Sequence, residues 1–186
     1  MQKLKTKKLG IFIKFLLNDN SRRAYGMLYR YTLIKNNMSY TTSYYHVVFR
    51  TYRSKPTINE EHEQELYAYI IGIAQNLHCV MYRIGGMPEH IHMFVSLPSS
   101  LSLAEFVQRV KTESSKWLKA NKNFPGFAGW GHEYAGFSYG IRDKDMIVNY
   151  IARQKEHHKK NKFSNEYRSF IEKNGVTINE KYFLHD

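Results

Sequence analysis

The chain has 186 residues, of which 42% are hydrophobic, so it can bury the core of one domain and is short for two. A formal charge of +12 favours a polyanionic partner. The single cysteine, Cys79, excludes an internal disulfide and a thiolate metal cluster, and fits a reducing cytosol.

The first 37 residues differ in composition from the rest of the chain. They carry nine Lys and Arg and one acid, a balance of +8, whereas residues 38–186 carry 19 bases and 15 acids, a balance of +4. The apolar run over residues 9–17 is too short to span a bilayer, and no small-residue cleavage site follows it. We therefore interpret residues 1–37 as an N-terminal extension outside the native domain, and residues 38–186 as a single domain.

Strands and helices are predicted in alternation after residue 38. β-Branched and aromatic runs predict strands, whereas capping residues and a 3.6-residue apolar spacing predict helices. The first elements are a strand over 41–52, a helix over 60–77 capped by Asn59, a strand over 78–84, a turn over Gly85–Pro88 and a strand over 90–96. A helix opened by the Ser102–Glu105 capping box follows, and then a loop over 121–136 and a strand over 137–141. The last two elements are a helix from Asp143 or Asp145 to about residue 160 and a helix over 164–173 ended by Asn174 and Gly175.

This order predicts an α+β fold of the ferredoxin-like (RRM-like) kind. The succession strand, helix, strand, strand, helix, strand makes an antiparallel sheet with helices on one face, followed by additional C-terminal helices. The plan by itself indicates no function, since folds of this kind serve many.

His90 and His92 form the first candidate site. Alternate residues of a strand point to the same face, so two imidazoles at i and i+2 can chelate one metal ion while Ile91 points into the core. The alternative is a pair of unrelated histidines on a polar sheet face.

Tyr150 and Gln154 form the second candidate site. They are four residues apart on a predicted helix and so share one face, and the polar residues Glu156, His157 and His158 follow. The alternative is that Tyr150 packs in the core beside its apolar neighbours while Gln154 is solvated.

Together these motifs resemble the single-tyrosine HUH transposases of the insertion-sequence-200-like family. The HUH motif is His, a hydrophobic residue, His, and the nucleophile motif places a glutamine four residues after the tyrosine, often followed by Glu-His-His. The resemblance covers about residues 40–176. Its segments are His90–His92, Tyr150–His158, His46–Arg53 and, more weakly, Lys111–Ser115 and Trp130–His132.

The resemblance implies a cytoplasmic bacterial or archaeal transposase that acts without a membrane. Tyr150 would be the nucleophile, and His90, His92 and Gln154 would bind Mg²⁺ or Mn²⁺. The substrate would be single-stranded DNA with hairpins at the ends of an element, cut and rejoined through a 5′-phosphotyrosine. The protein would be a homodimer, with the active site shared between subunits.

Three other functions are compatible with this sequence. A domesticated relative that processes repeated hairpins without moving itself would have the same chemistry. A ferredoxin-like nucleic-acid-binding module would have no catalysis, and a hydrolase would use water as the nucleophile. The basic residues considered as DNA contacts, each with a solvated surface base as its alternative, are Arg50, Arg53, Arg109, Lys111 and Arg142.

Deletion of residues 1–37 tests the assignment of an extension. The shortened chain is expected to keep its thermal unfolding midpoint and its activity on single-stranded DNA, because the core-forming pattern begins after residue 38. Circular dichroism melting and a DNA cleavage assay measure both. An insoluble or inactive product would show that the extension belongs to the domain.

Overall fold

A computed structural model describes residues 40–157 and 162–186. Thr42–Asp186 forms one unit, and the predicted extension over residues 1–37 lies outside the described residues. The elements in chain order are β1 (Ser43–Arg50), a 3₁₀ helix (Tyr52–Ser54), α1 (Glu63–Asn76), β2 (Val80–Met87), β3 (His90–Leu97), α2 (Leu103–Ala120), β4 (Ala135–Tyr139), a 3₁₀ helix (Ile141–Asp143), α3 (Lys144–Ala152), α4 (Gln154–His157) and α5 (Phe163–Lys173).

The four strands form one antiparallel sheet in the order β2-β3-β1-β4. This order, with one helix in each of the two crossovers, is the ferredoxin-like arrangement, and the predicted fold class is confirmed. The two central strands are β1 and β3. Their register pairs Val48 with His92 and Arg50 with His90, so both histidines of the HUH-like motif lie on a central strand, at the end where β3 begins.

The sheet has two differently covered faces, because alternate side chains point in opposite directions. Val47 and Phe49 of β1 pack with Ile91 and Met93 of β3 in the main hydrophobic cluster, which includes the apolar faces of α1 and α2. The other face carries His46, His90 and His92 and is covered by residues of α3 and α5. The C-terminal helices therefore enclose a face that already holds polar side chains.

The two crossover helices form largely as predicted. Leu66, Ile70 and Ile73 are buried on one face of α1. At the start of α2, the Ser102 hydroxyl accepts a hydrogen bond from the Glu105 backbone N–H at 3.1 Å, which satisfies one unpaired donor of the first turn. The predicted cap of α1 is wrong by three residues: Asn59 accepts from the N–H of Glu61 and so stabilises the turn before the helix.

The predicted turn over Gly85–Pro88 is corrected by the structure. Gly85, Gly86 and Met87 belong to β2, and the turn before β3 lies at Pro88 and Glu89. A Cβ at Gly86 would come 2.1 Å from the carbonyl oxygen of His90, so glycine is needed here for close approach of two strands. The pattern of two glycines and a proline indicated a turn, but cross-strand pairing extends the strand through the glycines.

The predicted long helix after Asp143 is divided in two. α3 begins at Lys144 and ends at Ala152, and α4 begins at Gln154. The N–H of Arg153 donates to the carbonyl oxygens of both Asn149 and Tyr150 at 3.2 Å, so the hydrogen-bonding pattern changes at this residue. The predicted continuation toward residue 160 lies in part outside the described residues. The last helix, α5, ends at Asn174 and Gly175 (φ +76°) as predicted.

No helix among the described residues is both long enough and apolar enough to cross a bilayer.

Two glycine substitutions test the close approach at the start of β3. Gly86→Ala is expected to lower the free energy of unfolding by at least about 2 kcal/mol, because the new methyl group displaces the His90 backbone. Gly72→Ala on α1 is the control: its Cβ meets no atom within 4 Å, so it is expected to be neutral or to stabilise by up to about 1 kcal/mol. Urea denaturation measures both, and equal stabilities would contradict the prediction.

Candidate active site

Two buried histidines of β3 form the floor of the candidate site. His90 is 0% exposed and His92 is 1% exposed, and their ring centroids lie 5.0 Å apart. The Nδ1 atom of His90 lies 3.2 Å from a carboxylate oxygen of Glu89, and a carboxylate there favours the tautomer that leaves the Nε2 lone pair available. Both Nε2 atoms face the carboxylate of Glu166, at 4.0 Å from His90 and 3.7 Å from His92.

A third histidine, His46, holds His92. His46 is 2% exposed, and its Nε2 lies 3.0 Å from Nδ1 of His92. Burial lowers the pKa of His46 to about 3, although the charge of Glu166 opposes this, so His46 is neutral near pH 7. A neutral His46 that accepts a hydrogen bond from His92 Nδ1–H leaves the Nε2 lone pair of His92 directed into the site. The sequence interpretation gave His46 no role of its own, because a contact across two strands is not visible in the order of residues.

The side chains of Tyr150 on α3 and Gln154 on α4 lie over the two histidines. The Tyr150 ring centroid lies 5.9 Å from those of both His46 and His92. Gln154 is 1% exposed, so the alternative of a solvated glutamine is wrong. The Gln154 amide nitrogen donates to Glu166 Oε1 at 2.9 Å, while its own oxygen is buried without a hydrogen-bond partner among the described residues. A buried amide oxygen of this kind can accept a hydrogen bond or bind a cation.

Glu166 is the residue that the sequence interpretation missed. It lies in the first turn of α5, and its Oε1 accepts hydrogen bonds from the Tyr150 hydroxyl and from the Gln154 amide. One signal in the sequence could have indicated it. Glu166 is three residues after Phe163 and four before Phe170, and therefore lies on the apolar face of the helix, where an isolated carboxylate is unusual.

The apolar residues of α5 also orient the histidines. Phe163 stacks on His90 with ring centroids 4.2 Å apart, and Phe170 packs on His46 at 4.7 Å. Aromatic contacts at these distances restrict ring rotation and exclude water from the imidazoles. The helix that carries the carboxylate thus also forms the apolar wall around it.

The environment of Tyr150 keeps its hydroxyl protonated. Burial raises the pKa of Tyr150 well above its usual value, and the hydrogen bond and negative charge of Glu166 raise it further. A phenol in this setting is a weak nucleophile unless positive charge is brought close to it.

The ligand atoms present fit a divalent cation. One ligand atom from each of His90, His92 and Glu166 lies within 4.8 Å of the others. The buried oxygen of Gln154 adds a fourth donor to this region. Imidazole nitrogens with carboxylate and amide oxygens suit ions such as Mn²⁺, and the oxygens also suit Mg²⁺. Tyr150, Gln154 and both histidines of one chain meet here, so a single chain contains every residue predicted for the site.

The residues predicted to contact phosphates fall into two groups. Arg50 is 2% exposed and is paired with Asp186 at 2.5 Å, so it is unavailable to a DNA backbone in this structure. Lys111 donates to the carbonyl oxygens of Gly131 and His132 at 2.5 and 3.0 Å, and therefore supports the fold. The side chains of the other three candidates are exposed: Arg53, Arg109 and Arg142.

Two weakly matching segments turn out to be one structural unit. Trp130 donates its indole N–H to the Ser114 hydroxyl at 3.0 Å, and Lys111 binds the residues that follow Trp130. The segments Lys111–Ser115 and Trp130–His132 therefore join α2 to the loop before β4. They lend rigidity to the end of β1, where Gly131 N donates to the Arg50 carbonyl oxygen at 2.8 Å.

One protein family matches this chain over a range that includes most of the site. A family model described as "Transposase IS200 like" matches residues 39–154, which is more than half of the chain and includes His46, both site histidines, Tyr150 and Gln154. Glu166 lies beyond the matched range. No curated protein matches the chain.

Two solved structures are similar to the chain. One is a REP-associated tyrosine transposase bound to a REP hairpin, with a TM-score of 0.51 and 16% identity over 66% of this chain and 72% of that one. The other is a candidate transposase from Deinococcus radiodurans R1, with a TM-score of 0.49 and 18% identity over 64% of this chain and 95% of that one. At 16% identity, the similarity to the REP-associated transposase supports the fold alone.

The buried, neutral His46 predicts a loss of stability in acid. Its pKa is about 3 in the folded protein and 6.5 in the unfolded chain, so between these values the unfolded state binds more protons and the folded state loses stability as the pH falls. Between pH 7 and pH 5 the metal-free protein is expected to lose up to about 2 kcal/mol more than the variant His46→Phe.

Urea denaturation at the two pH values measures this difference. His78→Asn is the control, because His78 is exposed and its left-handed backbone (φ +57°) accepts asparagine. The control is expected to follow the wild-type pH dependence. If the unfolding free energy of His46→Phe changed with pH as much as that of the wild-type protein, His46 would not be the group that resists protonation.

Proposed function

The chain belongs to the IS200-like transposase family, and on that premise we propose that it cuts and rejoins single-stranded DNA at hairpin-bearing ends through a covalent bond to Tyr150. Membership of this family identifies the chain as a DNA-processing enzyme that acts in transposition. One observation carries the finer proposal. The only tyrosine of α3 reaches a buried pair of histidines, with a buried glutamine four residues later beside them.

The proposed reaction is a transesterification in which one phosphate ester replaces another. The Tyr150 oxygen attacks the phosphorus, the bond from phosphorus to the 3′ oxygen breaks, and the products are a 5′-phosphotyrosine and a free 3′ hydroxyl. The phenol proton lies on the hydrogen bond to Glu166 Oε1 and so has an acceptor in the site. Because the ester energy is kept in the covalent link, the reverse reaction can rejoin DNA without a nucleotide cofactor.

His90, His92 and Gln154 are proposed to hold Mg²⁺ or Mn²⁺. When bound, such an ion supplies positive charge that stabilises the phosphate and the leaving oxygen. The chain prepares the site in advance, because Glu89 and His46 orient the two imidazoles and Phe163 excludes water from one of them.

A flexible, single-stranded substrate suits the position of Tyr150. Its hydroxyl is half-buried between α3, α5 and the sheet, and an unpaired strand can bend into such a recess more readily than a duplex. The hairpin bound by the similar REP-associated transposase supports hairpin recognition as a proposal for this chain. Exposed Arg53, Arg109 and Arg142 are proposed to contact phosphates, and binding is then expected to weaken with salt.

We propose a homodimer as the active assembly. Each chain carries one such tyrosine, so cutting two strands requires two copies. In the structure, Tyr150 lies beside the histidines of its own chain. A shared active site would require α3 and α4 to leave those histidines and reach the site of the other copy.

A covalent adduct with DNA tests the nucleophile. The wild-type protein, incubated with Mn²⁺ and labelled single-stranded DNA from the flanks of its own gene, is expected to form an adduct that survives denaturation. Tyr150→Phe is expected to lose the adduct, because it lacks the attacking oxygen. The matched control is Tyr139→Phe, which removes a nearby hydroxyl that donates to Asn174 and is expected to leave the adduct unchanged.

Variants of the histidines complete this experiment. His90→Ala and His92→Ala are expected to reduce cleavage at least about 100-fold while keeping most of the DNA binding. Cleavage without an adduct in Tyr150→Phe would indicate a hydrolase that uses water. Binding without cleavage by the wild-type protein on any hairpin-bearing flank would indicate a non-catalytic binding module.

A further inference from the structure

We propose that Glu166 is itself a ligand of the cation, so that the site combines two imidazoles with a carboxylate from α5 in addition to Gln154. The inference rests on the proposed function for the presence of a metal. It extends that function to a residue of the last helix, beyond the range that the family model matches.

The spacing of the ligand atoms supports this role. Glu166 Oε1 lies 3.7 Å from His92 Nε2, and Glu166 Oε2 lies 4.0 Å from His90 Nε2. Two ligands that are each about 2.1 Å from a common ion can be at most about 4.2 Å apart. Each spacing allows an ion between one carboxylate oxygen and one imidazole. The three ligand atoms lie within 4.8 Å of one another, so a small movement of the side chains would allow one ion to contact all three.

The carboxylate can bind a metal and keep its present hydrogen bonds. Its two oxygens offer about four lone-pair sites, and the structure uses Oε1 to accept from the Tyr150 hydroxyl and from the Gln154 amide at 2.9 Å. Oε2 faces His90. Coordination would therefore require no loss of the contacts that position Tyr150 and Gln154.

The environment of Glu166 also favours contact with a cation. The Glu166 side chain is 12% exposed and lies on the apolar face of α5, where Phe163 stacks on His90. A largely buried carboxylate is stabilised by hydrogen bonds and by opposite charge, and a cation bound to the histidines would add to that stabilisation.

Carboxylate ligation changes the chemistry of the site in two ways. A ligand set of two neutral imidazoles and a neutral amide leaves the full charge of the ion unbalanced, whereas Glu166 neutralises part of it and favours retention of the ion before DNA binds. It also places the Tyr150 hydroxyl on a metal ligand, so that metal and nucleophile are positioned by one side chain.

Metal binding without DNA tests the inference independently of activity. Mn²⁺ is titrated into the full chain and followed by electron paramagnetic resonance and calorimetry. Glu166→Gln keeps the size of the side chain and one acceptor oxygen but removes the charge and the second acceptor oxygen, and is expected to weaken Mn²⁺ binding at least about tenfold. Glu166→Asp keeps the charge on a shorter side chain and is expected to bind Mn²⁺ with intermediate affinity. It also provides a readout if the glutamine variant does not fold.

Glu172→Gln is the matched control. It makes the same change in charge on the same helix, at an exposed residue that lies 3.9 Å from Arg168, and is expected to bind Mn²⁺ with wild-type affinity. Wild-type affinity in Glu166→Gln, or no Mn²⁺ binding by the wild-type protein, would overturn the inference. The adduct assay separates the two proposals. An adduct formed by the wild-type protein, together with unchanged Mn²⁺ affinity in Glu166→Gln, rejects only the ligand role. The expected series of affinities, with no adduct formed by the wild-type protein, rejects only the transposase chemistry.

Discussion

The second face of the sheet carries three histidines, and burial of that face by α3 and α5 is the constraint on which the site depends. Imidazoles at the middle of a sheet are tolerated under apolar helices only if their nitrogens are engaged. The structure engages one nitrogen of each imidazole, with Glu89 at Nδ1 of His90 and His46 at Nδ1 of His92, while both Nε2 atoms face the Glu166 carboxylate. The contacts that make burial possible also orient both Nε2 atoms toward the same point.

Glu166 connects the helices to that point. A single carboxylate oxygen accepts from Tyr150 on α3 and from Gln154 on α4, although the helix is interrupted between them at Arg153. Without the carboxylate, the tyrosine would be one more aromatic ring against His46. With it, the hydroxyl is held beside the two histidines that are proposed to bind the metal. Ile151 lies close to Gly85, because a Cβ added to Gly85 would come 3.1 Å from the Ile151 carbonyl oxygen. This close approach and the break after α3 determine how far the Tyr150 hydroxyl lies from the sheet.

Two of the basic residues predicted to contact DNA, Arg50 and Lys111, instead stabilise the fold. Arg50 is buried at the end of β1, where it pairs with Asp186, and Lys111 binds the loop around Gly131. The buried Arg50 guanidinium is paired with a carboxylate, and the half-buried Lys111 ammonium donates to backbone carbonyl oxygens. Desolvating an arginine is favourable only with such a partner, which explains why a basic residue in a strand is a poor predictor of DNA contact.

The sequence by itself determined the fold class, the strand that carries His90 and His92, and the helix that carries Tyr150, because these follow from local periodicity and capping. It also determined the family resemblance, which lies in the order and spacing of short motifs. Only the tertiary structure decided that His46 holds His92, that Arg50 is buried, that Gln154 is enclosed and that Glu166 belongs to the site. Each of these depends on contacts between residues distant in the chain, and the physical reason is that burial and pairing are properties of the packed faces rather than of any local segment.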